Sequence, residues 1–379
     1  MYEYQKNKRY FIQVAGSLEK HAAEELQQIG AQVLQEFPRG LRISCDKETL
    51  YKIVYTSRLS QRVLAPLISF QCHSEKYLYT QASNINWTSM FSLSSTFSIT
   101  SNVSRSKIQH SLYAGQILKD AICDQFRDQF GARPDFKTRD ADINFNLHIS
   151  DNWASIYLDV AGISLHKRGY RKTSYTAPLQ ETLAAVIIKL CEWDKETLLH
   201  DVMCGSGTLL AEALMLKCNI PAGYLRKSDS LKYMPDFDEA LWVRIKNKAD
   251  QAIIPLPEGL IKGSDENPEA IEIARNNLED LPYGDRIELK TARFQDLETE
   301  GSKIVICNPP YGIRIGDKNS IVKLYNDLGD FLKKKCPASV AYVLCGSNEL
   351  VSALRLRAHW KKSLKNADLE VKLAKIIIK

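Results

Sequence analysis

The sequence predicts an α/β fold: a parallel sheet covered by helices in the C-terminal half, preceded by two small α+β units. Three observations carry this. From Leu179 onward, long helical patterns alternate with short apolar runs, the order of strands and helices in a parallel sheet. The first of those runs leads into Asp201-Val202-Met203-Cys204-Gly205-Ser206-Gly207-Thr208, a glycine-bearing strand-to-helix loop. Ahead of residue 166, two shorter stretches mix strand and helix periods instead.

Taken in order, residues 10–14 read as a strand. Residues 17–29 read as a helix, with Ser17 as cap, Leu18, Ala22, Leu26 and Ile29 on one face, and Gly30 closing it. Strands at 32–37 and 40–44, a helix at 47–56 and a strand at 65–71 complete a β-α-β-β-α-β unit. A second unit follows. It has a helix at 78–85, strands at 95–100, 142–149 and 153–160, and a long helix at 107–130. Ile108, Leu112, Ile117, Leu118, Ala121, Ile122 and Phe126 are its apolar face and Gly131 its stop. The boundaries fall at 1–72, 73–166 and 167–379.

The C-terminal part reads as helix 179–191, strand 198–202 and helix 208–217. An irregular insertion at 218–258 holds one helix, 236–252. Strand 260–263, helix 268–278 and strands 287–289 and 303–307 come next, then helix 321–335, strand 339–345 and helix 349–357. A terminal hairpin spans 360–364 and 369–378.

Composition narrows the function classes. With 44% apolar and 25% charged residues the chain is an ordinary globular protein, which excludes disordered and fibrous classes. Its longest apolar runs fall well short of the ~18 residues that span a bilayer, and residues 1–10 lack a signal-peptide pattern, so the expectation is a cytoplasmic protein without a membrane partner. The nine cysteines are scattered singly and the seven histidines lack ligand spacing, so buried free thiols and no metal are expected. Residues 1–170 hold 20 Lys+Arg against 16 Asp+Glu, and the remainder 31 against 29. That tilt permits a nucleic-acid partner without requiring one. The loop Lys167-Arg168-Gly169-Tyr170-Arg171-Lys172 could bracket RNA phosphates through Lys167, Arg168, Arg171 and Lys172, with Tyr170 among them. Its charges describe a solvated basic loop equally well.

The chemistry lies at strand ends, where open α/β sheets bind ligands. The Gly205/Gly207 loop is neither a full GxGxxG, because Leu210 takes the third position, nor a P-loop. Asp201 just before it repels a pyrophosphate but suits a cationic amino group. Asp265 ends the next strand, where a carboxylate can take both hydroxyls of a ribose. It lies 64 residues after Asp201, a spacing lengthened by the 218–258 insertion. Asp296, after the third strand, could accept from an adenine amine. Each acid alone reads as a helix cap or surface carboxylate; three at successive strand ends do not. After the fourth strand, Asn308-Pro309-Pro310-Tyr311-Gly312 ends the run abruptly, because proline cannot donate to the ladder and restricts its predecessor. An amide, a fixed carbonyl and an aromatic ring there can hold a planar amine, although the motif by itself is also a proline-stiffened turn.

These motifs, with Arg168-Gly169-Tyr170-Arg171 and Ala177-Pro178-Leu179-Gln180-Glu181-Thr182-Leu183-Ala184-Ala185, resemble the THUMP-domain guanine-N2 methyltransferases dependent on S-adenosylmethionine. More narrowly, the chain resembles the bacterial ribosomal RNA large-subunit methyltransferase L type in its single-methyltransferase form. Val202 departs from the proline common there. The resemblance implies a ferredoxin-like domain at 1–72, a THUMP RNA-binding domain at 73–166 and a Rossmann-like, seven-stranded class I methyltransferase domain at 167–379. It implies S-adenosylmethionine as cofactor, S-adenosylhomocysteine as product and RNA, above all 23S ribosomal RNA, as partner. By the same likeness, Asp201, Cys204, Gly205, Ser206, Gly207 and Thr208 wrap the methionine part of the cofactor. Asp265 holds the ribose with Glu266 nearby, Asp296 holds the adenine, and Gln180, Glu181 and Thr182 close over the carboxylate. Asn308 and the Pro309 carbonyl accept from the exocyclic amine of a flipped base, with Pro310 stiffening the turn and Tyr311 stacking. A tRNA substrate, an adenine or glutamine amine, and a non-catalytic RNA-binding protein are the competing readings.

Overall fold

The structure is a computed structural model that describes residues 1–173, 179–227, 230–298, 303–311, 318–366 and 369–379. The chain forms two compact units. One comprises Met1–Val14, Ala22–Leu165 and Arg226–Asn247, the other Ala15–His21, His166–Leu225 and Lys248–Lys379.

The first unit contains α1 (Glu3–Asn7), β1 (Arg9–Val14), α2 (Glu19–Ile29), β2 (Gln32–Phe37), β3 (Gly40–Ser44), α3 (Lys47–Thr56) and β4 (Ser60–Gln71). It continues with α4 (Glu75–Ser83), β5 (Phe97–Ser104), α5 (Ser111–Phe130), β6 (Ile143–Ser150) and β7 (Trp153–Asp159). The expected β-α-β-β-α-β order is present, with α1 added in front. The two α+β modules share one seven-stranded sheet of order β2-β3-β1-β4-β7-β6-β5. The reason is the length of β4. Its Ser60–Leu64 end pairs with β1, while Leu64 to Gln71 pairs with β7. The parallel pair β5/β6 needs a crossover, which α5 supplies.

Several local expectations need adjustment. Gly30 and Gly131 do close α2 and α5 with positive φ. Ser17 does not cap α2: it sits at φ +73°, and the helix starts at Glu19. Helix α5 starts at Ser111 rather than 107, and Leu112 in its first turn is 89% exposed, off the apolar face.

The rest of the chain contains α6 (Glu181–Leu190), β8 (Leu199–Asp201), α7 (Thr208–Lys217), α8 (Glu239–Gln251), β9 (Ile261–Asp265), α9 (Pro268–Leu278), β10 (Glu288–Thr291) and β11 (Ile304–Cys307). It ends with α10 (Lys318–Lys335), β12 (Val340–Cys345), α11 (Asn348–Ala353), β13 (Ala358–Asn366) and β14 (Leu369–Ile377). Its sheet runs β10-β9-β8-β11-β12-β14-β13. The first five strands are parallel, and β14 joins β12 antiparallel as one arm of the terminal hairpin. Chain order reverses between β8 and β11, which makes their carboxyl ends a topological switch point. The core under β11 and β12 includes Val305, Cys307, Val343, Cys345, Tyr325 and Leu328, all buried.

Part of the 218–258 insertion folds with the first unit. Tyr51 of α3 is fully buried, with Phe237 at 5.9 Å and the Trp242 ring edge-on at 5.8 Å. Its hydroxyl accepts from the Asp238 backbone N–H at 2.9 Å. The sequence pattern located α8 but carried no information that its Trp242 would pack on α3.

All nine cysteines are free and buried, as expected. Among the described residues, no helix is long and apolar enough to cross a membrane.

Candidate active site

Asp201 ends β8 with both neighbouring strands paired alongside it, Ile306 of β11 on one flank and Gly263 of β9 on the other. It is 1% exposed, and its Oδ1 accepts the Met203 backbone N–H at 3.2 Å. Burial pushes its carboxyl up to about 8; the Met203 bond opposes this and nearby Asp265 adds to it.

The loop after β8 turns through two left-handed glycines, Gly205 at φ +51° and Gly207 at φ +78°. They need glycine for different reasons. A Cβ on Gly207 would lie 3.2 Å from the Ala274 Cβ of α9, whereas nothing lies within 4 Å of one on Gly205. The Cys204 N–H donates to the Ser264 carbonyl at 3.0 Å, which ties the loop to β9. Ser206 and Thr208 are buried at the start of α7. Burial raises the Cys204 thiol well above its ordinary value, so it is a neutral packing group and not a nucleophile.

Asp265 ends β9 half-buried. Its Oδ2 accepts from Gly205 N–H and its Oδ1 from Asn267 N–H, each at 3.0 Å. Glu266 and Asp296 are exposed at the same edge, Asp296 in the turn Phe294–Asp296 after β10. Because the sheet runs β10-β9-β8-β11, Asp296, Asp265, Asp201 and Asn308 follow one another along the carboxyl ends of four adjacent parallel strands.

Asn308 is half-buried directly after β11, Pro309 is buried, Pro310 is exposed and Tyr311 is half-buried. The Tyr311 hydroxyl donates to Asn308 Oδ1 at 2.5 Å and accepts from Asn366 Nδ2 at 3.4 Å. Burial pushes the Tyr311 phenol up to about 12, against the lowering effect of those two amides, so it keeps its proton at neutral pH. Gly312, like Ala177 and Pro178, lies outside the described residues.

The N-terminus of α6 supplies Gln180, Glu181 and Thr182. Gln180 is half-buried, Glu181 and Thr182 are buried, and Thr182 Oγ1 lacks a hydrogen-bond partner among the described residues. Arg171 joins this corner to α7. Its guanidinium lies 3.0 Å from Glu181 Oε1 and donates to the Leu179 carbonyl at 2.8 Å and to Thr208 Oγ1 at 3.1 Å. The basic loop therefore differs from a phosphate-bracketing surface. Arg168 is 1% exposed and pairs with buried Glu212 at 3.1 Å, and Tyr170 is buried with its hydroxyl 3.4 Å from the same carboxylate. Lys172 pairs with Glu279 at 2.6 Å and Asp280 at 2.8 Å. Lys167 is exposed. The sequence shows four cations in six residues; it does not show that carboxylate partners for Arg168, Arg171 and Lys172 lie 10 to more than 100 positions away.

The donor set fits S-adenosylmethionine. A buried carboxylate suits its amino group, a carboxylate with free lone pairs suits a ribose, the left-handed Gly205 leaves room for close approach, and Thr182 Oγ1 at the start of α6 is a buried polar atom without a partner among the described residues. Among the described residues, no group of His, Cys, Asp and Glu is arranged to hold a metal ion. Two residues that sequence reasoning missed are Gly346, which packs against Tyr311, and Asn366. A glycine directly after an apolar strand was a usable signal for Gly346; for Asn366 there was none.

Comparison with known proteins agrees with this geometry. Residues 168–375 match the RMKL-like methyltransferase domain, 72–159 the THUMP domain and 9–64 the RlmL ferredoxin-like domain. The chain is 34% identical to the "Putative RNA methyltransferase slr0064" of Synechocystis sp., covering 97% of this chain and 96% of that one. It is 35% identical to the ribosomal RNA large subunit methyltransferase K/L of Photobacterium profundum over 98% of this chain, but spans only 53% of that relative's length. The crystal structure of SMU.472 complexed with SAH superposes with a TM-score of 0.86 at 27% identity, covering 98% of both chains. The Rossmann-like methyltransferase sheet, the THUMP module and the ferredoxin-like module expected from the sequence are all present, and the chain belongs to the RMKL-like family of S-adenosylmethionine-dependent methyltransferases.

Proposed function

We propose that this protein is an RNA methyltransferase that moves the methyl group of S-adenosylmethionine to the exocyclic N2 amine of a guanosine in 23S ribosomal RNA, acting in the cytoplasm. The observation that carries the reading is the row of Asp296, Asp265, Asp201 and Asn308 along four adjacent strand ends. The THUMP match and the relatives named as RNA methyltransferases supply the substrate class.

In this reading Asp201 takes the cofactor's amino group, Asp265 its ribose and Asp296 its adenine, while Gln180 to Thr182 close over the carboxylate and the 204–208 loop lines the methionine part. The cofactor supplies an electrophilic methyl on a sulfonium that is already a good leaving group. The chain's own task is positioning. A guanine amine is a weak nucleophile because its lone pair is delocalised into the ring. Asn308 Oδ1 and the Pro309 carbonyl, fixed by a proline-stiffened turn, accept its two hydrogens and favour a pyramidal nitrogen. Tyr311 provides the stacking face for a flipped base.

The test is to incubate the protein with labelled S-adenosylmethionine and total RNA from a strain lacking the gene, then separate 23S, 16S and tRNA and digest to nucleosides. Label in N2-methylguanosine of 23S RNA is the expected result. Label confined to tRNA or to adenosine overturns the substrate assignment, and no label in any fraction points to a non-catalytic RNA-binding protein.

A further inference from the structure

The loop that carries Asn308 and Tyr311 is held from outside by two residues to which nothing so far gives a role. Gly346 follows β12, the neighbour of β11, so it lies at the same edge of the sheet. A Cβ on Gly346 would lie 2.5 Å from the Tyr311 Cβ and 3.1 Å from its Cγ. Gly346 is not among the residues with positive φ, so what requires glycine is space for the tyrosine and not backbone freedom. The second residue is Asn366, the last of β13, whose Nδ2 lies 3.4 Å from the Tyr311 hydroxyl.

The direction of the hydrogen bonds has a chemical consequence. A phenol has one proton, and Tyr311 donates it to Asn308 Oδ1 at 2.5 Å. It must therefore accept from Asn366, and Asn366 can offer only its NH2 group. The chain Asn366 to Tyr311 to Asn308 runs one way. In that direction Asn308 presents its amide oxygen, with one lone pair taken by the Tyr311 hydroxyl and the other left for an external N–H.

We propose that Gly346 and Asn366 are positioning residues of the methyl-acceptor site: Gly346 seats the Tyr311 ring, and Asn366 orients its hydroxyl so that Asn308 presents an amide oxygen to the substrate. Two fixed acceptors, Asn308 Oδ1 and the Pro309 carbonyl, then select a nucleophile with two hydrogens, an NH2 group. A ring nitrogen or a hydroxyl leaves one acceptor unmet. The selection rests on the amine-methylating reading above; the two supports do not.

The test uses full-length protein and the variants Gly346→Ala, Asn366→Ala, Tyr311→Phe and Tyr311→Phe/Asn366→Ala. Calorimetric binding of S-adenosylhomocysteine should stay within about threefold of wild type in all of them, because the cofactor groups are untouched. For methyl transfer, kcat should fall about 100-fold in Gly346→Ala, the scale of a 1 Å misplacement. It should fall about tenfold or more in Asn366→Ala with little change in KM, and Asn366→Ala should cost nothing further in the Tyr311→Phe background. Wild-type kcat in Asn366→Ala, independent effects in the double variant, or lost cofactor binding would each overturn the proposal. If the wild-type protein methylates no RNA, the proposed function fails, and thermal unfolding of the wild type, Tyr311→Phe, Asn366→Ala and the double variant decides the positioning claim. Coupling between 311 and 366 supports it, and strict additivity removes it.

Discussion

The Asp265 carboxylate accepts the backbone N–H of Gly205 at 3.0 Å, joining the acid at the end of β9 to the glycine loop after β8. One side chain thus shapes the loop and, in the proposed reading, also holds the ribose. Asp265→Ala should therefore weaken S-adenosylhomocysteine binding by more than a single contact. Hydrogen bonds to a charged group contribute about 1.5–3 kcal/mol each, so a loss of at least about 10-fold to 100-fold is expected by calorimetry. Asp265→Asn, which keeps one acceptor oxygen, should lie between. An alanine variant that binds like wild type would remove Asp265 from the cofactor site.

Asp201 makes binding and stability depend on pH in opposite ways. Burial pushes its carboxyl up to about 8, so near neutral pH it is largely protonated in the free protein. A cationic amino group needs the carboxylate. Cofactor binding should tighten as pH rises toward 8 and should release up to about one proton at pH 7, read by calorimetry in buffers of different ionisation enthalpy. Stability moves the other way. Between the unfolded value near ~4 and the folded value, the native state holds the extra proton, so this residue lowers stability as pH rises through that window. Asp201→Asn should raise the unfolding midpoint more at pH 8 than at pH 4. Equal shifts at both would show that the acid is not held neutral.

Arg171 ties the N-termini of α6 and α7 together through Glu181, Leu179 and Thr208. Removing it leaves Glu181 buried beside an empty space. Arg171→Ala should cost about 3 kcal/mol in chemical denaturation and weaken cofactor binding, since Glu181, Thr182 and Thr208 lose their tether. Arg171→Lys keeps the charge but cannot meet all three partners from one nitrogen, and should bind cofactor several-fold more weakly with most of the stability retained. If Arg171→Ala instead lowers RNA affinity alone, the residue belongs to an RNA surface.

Trp242 stands edge-on to Tyr51 at 5.8 Å and to Tyr55 at 5.7 Å. Truncating a packed tryptophan costs about 3–5 kcal/mol when it is fully buried, and Trp242 is partly exposed, so Trp242→Ala should cost about 2–3 kcal/mol. The loss should be local: hydrogen exchange should accelerate in Lys47–Thr56 and not in β8 or β11. Unchanged protection in α3 would mean that the insertion is a passenger on the first unit.

Much of this was legible in the chain itself. Period and punctuation located nearly every element, because apolar spacing, Gly30, Gly131 and the Pro309-Pro310 stop act within a few residues. The missed helix α1 is only Glu3–Asn7, too short to show a period. The candidate acids were legible for the same reason: Asp201 and Asp265 end strands, and Asp296 closes the turn that follows β10. The basic loop misled because charge is visible in sequence and its neutralisation is not. Glu212 and Glu181 reach Arg168 and Arg171 only once α6 and α7 are packed.

The sequence by itself determined the α/β class, the glycine turn before α7 and the four strand-end residues Asp201, Asp265, Asp296 and Asn308. All of these follow from local backbone preference and hydrophobic period. The tertiary structure decided what stands beside what. Sheet order turned the sequence order 201, 265, 296, 308 into the spatial row 296, 265, 201, 308. Packing buried Arg168 and Tyr170, drew 226–247 into the first unit and brought Gly346 and Asn366 to Tyr311. Such pairings join residues tens to more than a hundred positions apart, and strand order and side-chain packing fix them, neither of which a local pattern encodes.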